Sequence, residues 1–377
     1  MGGKTFANVS VPRMSPAVYQ RLSAECQAKL ETLFDRVVVP RDAPGKADFG
    51  DIDFLVESIK DKTSTSSDLW TQVQTLLGAE LYVHNGGSHS FAIPHPDILN
   101  AYAQIDVELS PGNDTPHGAE LFAWTRFMKG DSDLLQILGI AHRALGILCN
   151  DQGLHIRIEQ IEPYNKKKAL LFLTRDPNAA MDFYGLDKPR YWAGFANETE
   201  LFDWATGGRF FSPQVFEKRV EKNNDRARQA KRPMYRRFVE EYMPAHAEKN
   251  VETTWTREQV LEEAIEMFGM RAEYDAMMDE HYFKEAEEDL WKEVRGAVPV
   301  EGSSLVVALK GLRRWVTFEN GGPQLATVPD LDDKPAWTKL MAPGSKESLL
   351  SWVKENWEAA KALEKARASA AKVAASA

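Results

Sequence analysis

The run Phe49-Gly50-Asp51-Ile52-Asp53-Phe54-Leu55-Val56-Glu57 decides how this chain is read. Two carboxylates stand two residues apart in a hydrophobic, β-prone stretch, just after the turn-forming Pro44-Gly45 and Gly50. Residues i and i+2 of a strand share a face. Asp51 and Asp53 therefore project side by side while Ile52 and Phe54 enter the core. Adjacent carboxylates repel each other and are costly to desolvate. A buried strand that opens on such a pair calls for a cation between them, and hard oxygen donors suit Mg²⁺.

Upstream, residues 16–33 read as a helix capped by Ser15, with Tyr19, Leu22, Cys26, Leu30 and Leu33 on one stripe. Residues 36–39 form a short strand ended by Pro40. Downstream, Ser66 or Ser67 caps a helix to Leu77. Three strands follow, at 80–84, 88–93 and 101–109, the first two joined at Asn85-Gly86-Gly87 as a tight hairpin. This β-α-β-β-β order predicts one mixed sheet with a helix on a face, hence α+β or α/β.

From about Glu120 the hydrophobic period becomes helical, with helices expected at 119–127 and 134–148. Residues 169–174 are another buried strand, and short helices follow at 177–184 and 199–206. Residues 218–237 hold nine Lys and Arg against two acids. Thr256 with Gln259 forms a capping box that opens an acidic helical region to about residue 295. Residues 345–377 read as one long helix with an Ala-rich end. The expected organisation is an N-terminal arm and helix (1–30), a core (31–115), a helical or α+β extension packed on it (116–215), a charged helical region (216–300) and a C-terminal helical region (301–377).

The chain of 377 residues is 43% hydrophobic and 27% charged, as expected of a soluble globular protein. A net charge of −10 argues against indiscriminate nucleic-acid or membrane binding. With only Cys26 and Cys149, no disulfide framework is implied, and a reducing, cytoplasmic or nuclear setting is expected. No apolar run is long enough to span a bilayer. Met1-Gly2-Gly3 is not read as a myristoylation start, because Phe6 stands where that motif needs Ser or Thr.

A third acid strengthens the pair. Gln104-Ile105-Asp106-Val107-Glu108-Leu109 alternates polar and apolar, placing Asp106 and Glu108 on one face. If this strand neighbours 51–57, three carboxylates converge, the arrangement that two-metal phosphoryl transfer needs. Here the chain resembles the polymerase-β-type nucleotidyltransferases, whose pattern is an Asp-x-Asp strand followed by a strand with a third Asp among hydrophobics. The residues that carry it are Gly50-Asp51-Ile52-Asp53-Phe54 and Ile105-Asp106-Val107. The surroundings resemble a little-described branch in fungi and large DNA viruses, extending through Asp131-Ser132-Asp133-Leu134-Leu135-Gln136-Ile137-Leu138-Gly139 and Leu171-Phe172-Leu173-Thr174-Arg175-Asp176-Pro177.

The resemblance implies a nucleotidyltransferase-like mixed sheet with flanking helices. It also implies Mg²⁺ or Mn²⁺ held by Asp51, Asp53 and Asp106, with the same three acids catalytic, and an NTP as substrate. Family members carry Gly-Ser at a turn about ten residues before the first Asp. Here that place falls near Pro40-Arg41, and Gly86-Gly87-Ser88 reads as a hairpin turn. Phosphate contacts would then fall to Arg41 and Lys46, with Gly50 at the strand entrance. The alternative is a catalytically inactive member of the fold that serves as a binding or scaffold module.

The remaining signals divide between chemistry and packing. The basic 218–237 segment could grip RNA phosphates or be a solvated helix paired with the acidic 256–296 segment. His84, His89 and His95, near Asp97, lack the spacing and cysteines of a zinc site and read as turn and strand histidines. His142 reads as a core or boundary histidine, and Trp124, Trp192 and Trp204 as core.

Overall fold

The computed structural model describes residues 5–63, 65–219, 221–250, 252, 255–331 and 336–376, in two compact units, 1–271 and 272–377. The Met1-Gly2-Gly3 start, Val220 of the basic segment and Ala377 lie outside the described residues. The architecture is α+β, with a mixed sheet in the first unit and a mainly helical second unit.

The first helix, α1 (Pro16–Leu30), begins as its sequence dictates. The Ser15 hydroxyl accepts from the Val18 amide, and Pro16 takes the first helical position, where its missing N–H costs nothing. Strands β1 (Phe34–Val38) and β2 (Asp51–Ile59) follow. Helix α2 (Ser66–Leu77) is capped by Thr65, whose hydroxyl accepts from the Asp68 amide, and not by Ser66 or Ser67. Gly78 ends it with φ +74. Strands β3 (Leu81–Asn85), β4 (Ser88–Pro94) and β5 (Tyr102–Leu109) complete a sheet in the order β1-β2-β5-β4-β3. The β2–β5 pair is parallel and every other pair antiparallel.

Alternation fixes what each face does. Ile52, Phe54, Val56, Phe91, Ile93, Ile105 and Val107 point into a core shared with Leu22, Cys26 and Leu30 of α1 and with Leu69, Val73 and Leu77 of α2. Burying each such side chain is worth about 1.5–3 kcal/mol, enough to set the register of β2 and β5, because a one-residue slip would bury the aspartates. The opposite face starts with Asp51 and Asp53 and ends with buried Leu55 and Glu57.

Beyond the sheet lie α3 (Gly118–Lys129) and α4 (Leu134–His142). The single helix expected at 134–148 does not form. It stops at His142, tightens to a 3₁₀ turn, and Gly146 at φ +82 redirects the chain into β6 (Ile147–Asn150). A Cβ at Gly146 would lie 3.0 Å from Arg257 Nε and 3.2 Å from the Arg157 carbonyl oxygen. Strands β7 (Gly153–Arg157) and β8 (Leu170–Thr174) join β6 in an antiparallel sheet. Helices α5 (Pro177–Tyr184), α6 (Lys188–Ala193) and α7 (Glu198–Ala205) follow. Trp124 and Trp204 are core, as expected, but Trp192 is 43% exposed, its Nε1 donating to Asn178.

The basic segment folds as Asn223–Lys231 and Pro233–Arg237. Thr256 and Gln259 form the reciprocal cap of helix Arg257–Phe268, which Gly269 closes at φ +66. The acidic region is therefore two helices. The second unit packs helices Arg271–Ala297, Gly302–Trp315 and Lys346–Ser376 around Leu290, Val294, Ala308, Leu312, Trp337, Leu349 and Val353. Gly311 lies against the Ala360 backbone, so close that a Cβ there would collide with the carbonyl. An unanticipated hairpin, Val316–Glu319 with Gly322–Leu325, turns on Asn320-Gly321, both at positive φ. Among the described residues, no helix is long and apolar enough to cross a membrane.

Candidate active site

The parallel register sets Asp51 beside Gln104 and Asp53 beside Asp106. Residues in register on neighbouring strands share a face, so these four form one polar patch above the apolar core. Ser90 on β4 pairs with Asp106 from the other side. The patch enters β2 under restraint: Phe49 exchanges both backbone hydrogen bonds with Met14, at 2.7 and 3.0 Å, and Gly50 is buried just before Asp51.

Asp53 meets solvent at its surface yet has protein packed densely around it. Its pKa is pushed up to about 7, first by desolvation and then by the like charges of Asp51 and Asp106, with Lys129 opposing. The Asp106 pKa is also raised by burial, while hydrogen bonds from Ser90 and Gln104 hold it down. Gln104 Nε2 lies 3.0 Å from each Asp106 oxygen. Among the described residues, no three His, Cys, Asp or Glu side chains converge as a ready-made metal cage. The donor chemistry nonetheless suits a hard cation: clustered carboxylate oxygens with more negative charge than their surroundings neutralise.

Lys129, the last residue of α3, is a cation that acts on both Asp53 and Asp106. Its Nζ is 2.7 Å from Glu108 Oε2. Sequence reasoning missed it, because Lys129 reaches the acids only through the docking of α3 on the sheet. Arg41 and Lys46 are placed differently from what their nearness in sequence implies. Arg41 binds Asp131 through Nε and Nη2, at 2.7 and 2.6 Å, and lies 4.8 Å over the Tyr191 ring. The Asp131 amide donates back to the Arg41 carbonyl at 2.7 Å. Lys46 pairs with Asp42, which also accepts from the Tyr19 hydroxyl at 2.8 Å. A cavity of about 510 Å³ adjoins these groups, lined by Arg41, Asp42, Asp131, Gly194 and Phe195 among others.

The other candidates resolve into packing. His89 stacks on Trp70 at 3.5 Å and hydrogen-bonds the Tyr82 hydroxyl. Burial pulls its pKa down to about 4, so it is neutral at physiological pH. His95 is buried at the strand exit, its Nδ1 accepting from the Asp97 amide. His142 is fully buried and likewise held down to about 4. In the basic segment, Arg232 pairs with Asp133 at 2.6 Å and Arg237 with Glu198, while Asp225 draws in Arg228 and Arg143. These pairs run to the 133–225 region and not to the acidic 256–296 segment. No family model and no curated protein sequence matches this chain.

Proposed function

We propose that this protein is a Mg²⁺- or Mn²⁺-dependent nucleotidyltransferase that moves a nucleoside monophosphate from an NTP to a hydroxyl acceptor. The observation that carries the reading is the parallel β2–β5 register, which brings Asp51, Asp53 and Asp106 onto one face, where their like charges oppose one another. The three carboxylates would hold the metal. Bound metal would supply Lewis acidity toward the attacking hydroxyl and the triphosphate. Asp106 would complete the site of the catalytic ion and help take the proton from the attacking hydroxyl. Lys129 adds positive charge where phosphate oxygens would lie. The cavity lined by Arg41, Asp42 and Phe195 is the proposed place for the nucleoside. The hydroxyl acceptor is proposed to be an RNA end, a small molecule or a protein side chain. RNA contact through 218–237 would use the cations of that segment outside its ion pairs.

One observation favours a second reading. Arg41 and Lys46 both already serve acidic partners, which thins the supply of phosphate donors and suits a non-catalytic scaffold. Incubation with each labelled NTP, total RNA and Mg²⁺ or Mn²⁺ separates the two. Label transfer that vanishes in Asp53→Asn supports the enzyme. No transfer, together with no NTP-dependent thermal stabilisation, supports the scaffold.

A further inference from the structure

We infer that Gln104 is a positioning residue for the Asp106 carboxylate, and that the N-terminal arm locks it in place. The inference rests on the metal-site reading above. Gln104 is 2% exposed, which is unusual for an amide side chain unless its donors and acceptor are all used. Its Nε2 donates to both Asp106 oxygens and, at 3.1 Å, to Thr5 Oγ1. Its Oε1 accepts from the Thr5 amide at 3.2 Å. The side chain thus bridges a carboxylate of the site to a segment ninety-nine residues earlier in the chain. The Ser10–Ala101 bridge, with the Tyr102 amide donating to the Ser10 carbonyl at 2.8 Å, ties the same arm to the start of β5.

The chemistry of the contact is specific. An amide N–H donated to a carboxylate favours its charged, ligating form and fixes its rotamer. Gln104 shares a strand face with Asp106 and sits in register with Asp51, so it can reach the acids without contributing charge of its own. No bound group needs to touch Gln104 for it to matter. Outer-shell partners of metal-ligating carboxylates typically govern metal affinity by 10–100-fold.

The test uses the full chain and four variants: Thr5→Val, Gln104→Met and Asp106→Asn along the hydrogen-bonded chain, and Asp53→Asn as the control for the metal site. Met matches Gln in length and leaves no donor. Melting without metal, analysed as double-mutant cycles, should show the three substitutions to be non-additive. Mn²⁺ binding by calorimetry should then weaken about tenfold or more in Gln104→Met, and by a smaller factor in Thr5→Val, whose melting temperature should fall less than that of Gln104→Met. A structural role alone would lower the melting temperature of Gln104→Met and leave its Mn²⁺ affinity unchanged. That result, with affinity lost in Asp53→Asn, overturns the positioning role and leaves the metal site standing. Failure of the parent protein to bind Mn²⁺ at all overturns the metal-site reading and this inference with it.

Discussion

Asp53 concentrates the electrostatics of the site into one side chain. Its folded pKa of about 7 stands above the value near 4 of an unfolded Asp. Between these values the folded state holds a proton that the unfolded state has released. Stability from this residue is therefore greatest at low pH and is lost as pH rises toward 7. In EDTA, melting temperature should fall from pH 5 to pH 7.5, and Asp53→Asn should flatten the fall. Asp53→Asn should also stabilise the metal-free protein at pH 7.5 by about 1 kcal/mol, an amount discounted for the solvent that reaches this group. Marked destabilisation in EDTA would instead make the carboxylate a structural partner. Lys129 is the complementary case. If NTPs bind, Lys129→Met should weaken them by about 1.5–3 kcal/mol, the worth of a charged hydrogen bond, as read by calorimetry with a non-hydrolysable NTP and Mg²⁺. Unchanged affinity would move the phosphate contacts to other cations, the 218–237 segment first.

At the scale of elements, Arg41 is a fastener. It holds the connection between β1 and β2 to the turn between α3 and α4, where Asp131 and Ser132 both take positive φ. Asp131 is 1% exposed, so Arg41→Ala would strand a buried carboxylate. The expected cost is on the order of 3 kcal/mol, measured by urea denaturation, with the Arg41→Ala/Asp131→Asn double variant recovering part of it. A loss of NTP affinity at unchanged stability would restore Arg41 as a phosphate contact. These elements also show what a single sequence discloses. The β2 alternation, the Ser15 cap and the Thr256–Gln259 box were legible because each is written within a few neighbouring residues. The end of α4 was not, since Ile147-Leu148-Cys149 continues the apolar helical run and only the left-handed Gly146 breaks it. Asn320-Gly321 carried a hairpin signal that went unread in a helical context. Arg41, Lys129 and Gln104 owe their partners to tertiary packing, and no spacing rule reaches from Arg41 to Asp131.

For the whole molecule, the decisive fact is that each unit has its own apolar core, one around Ile52, Phe54 and Ile105 and the other around Leu312, Val353 and Trp337. Calorimetric unfolding should therefore resolve more than one transition. Mn²⁺ should raise only the transition of the unit that holds Asp51, Asp53 and Asp106. Leu312→Ala, a cavity costing about 2–5 kcal/mol, should lower only the other. A single transition displaced as a whole by both treatments would show that the units unfold as one.

The close approach of Gly311 to the Ala360 backbone has a consequence at the level of inheritance. Every missense change in a glycine codon installs at least a Cβ, and at this position the carbonyl facing it belongs to the main chain and cannot rotate aside. Conservative and radical replacements are thus equally obstructed. Among natural variants of this gene, codon 311 should carry silent changes alone, while the neighbouring exposed position Lys310 drifts freely.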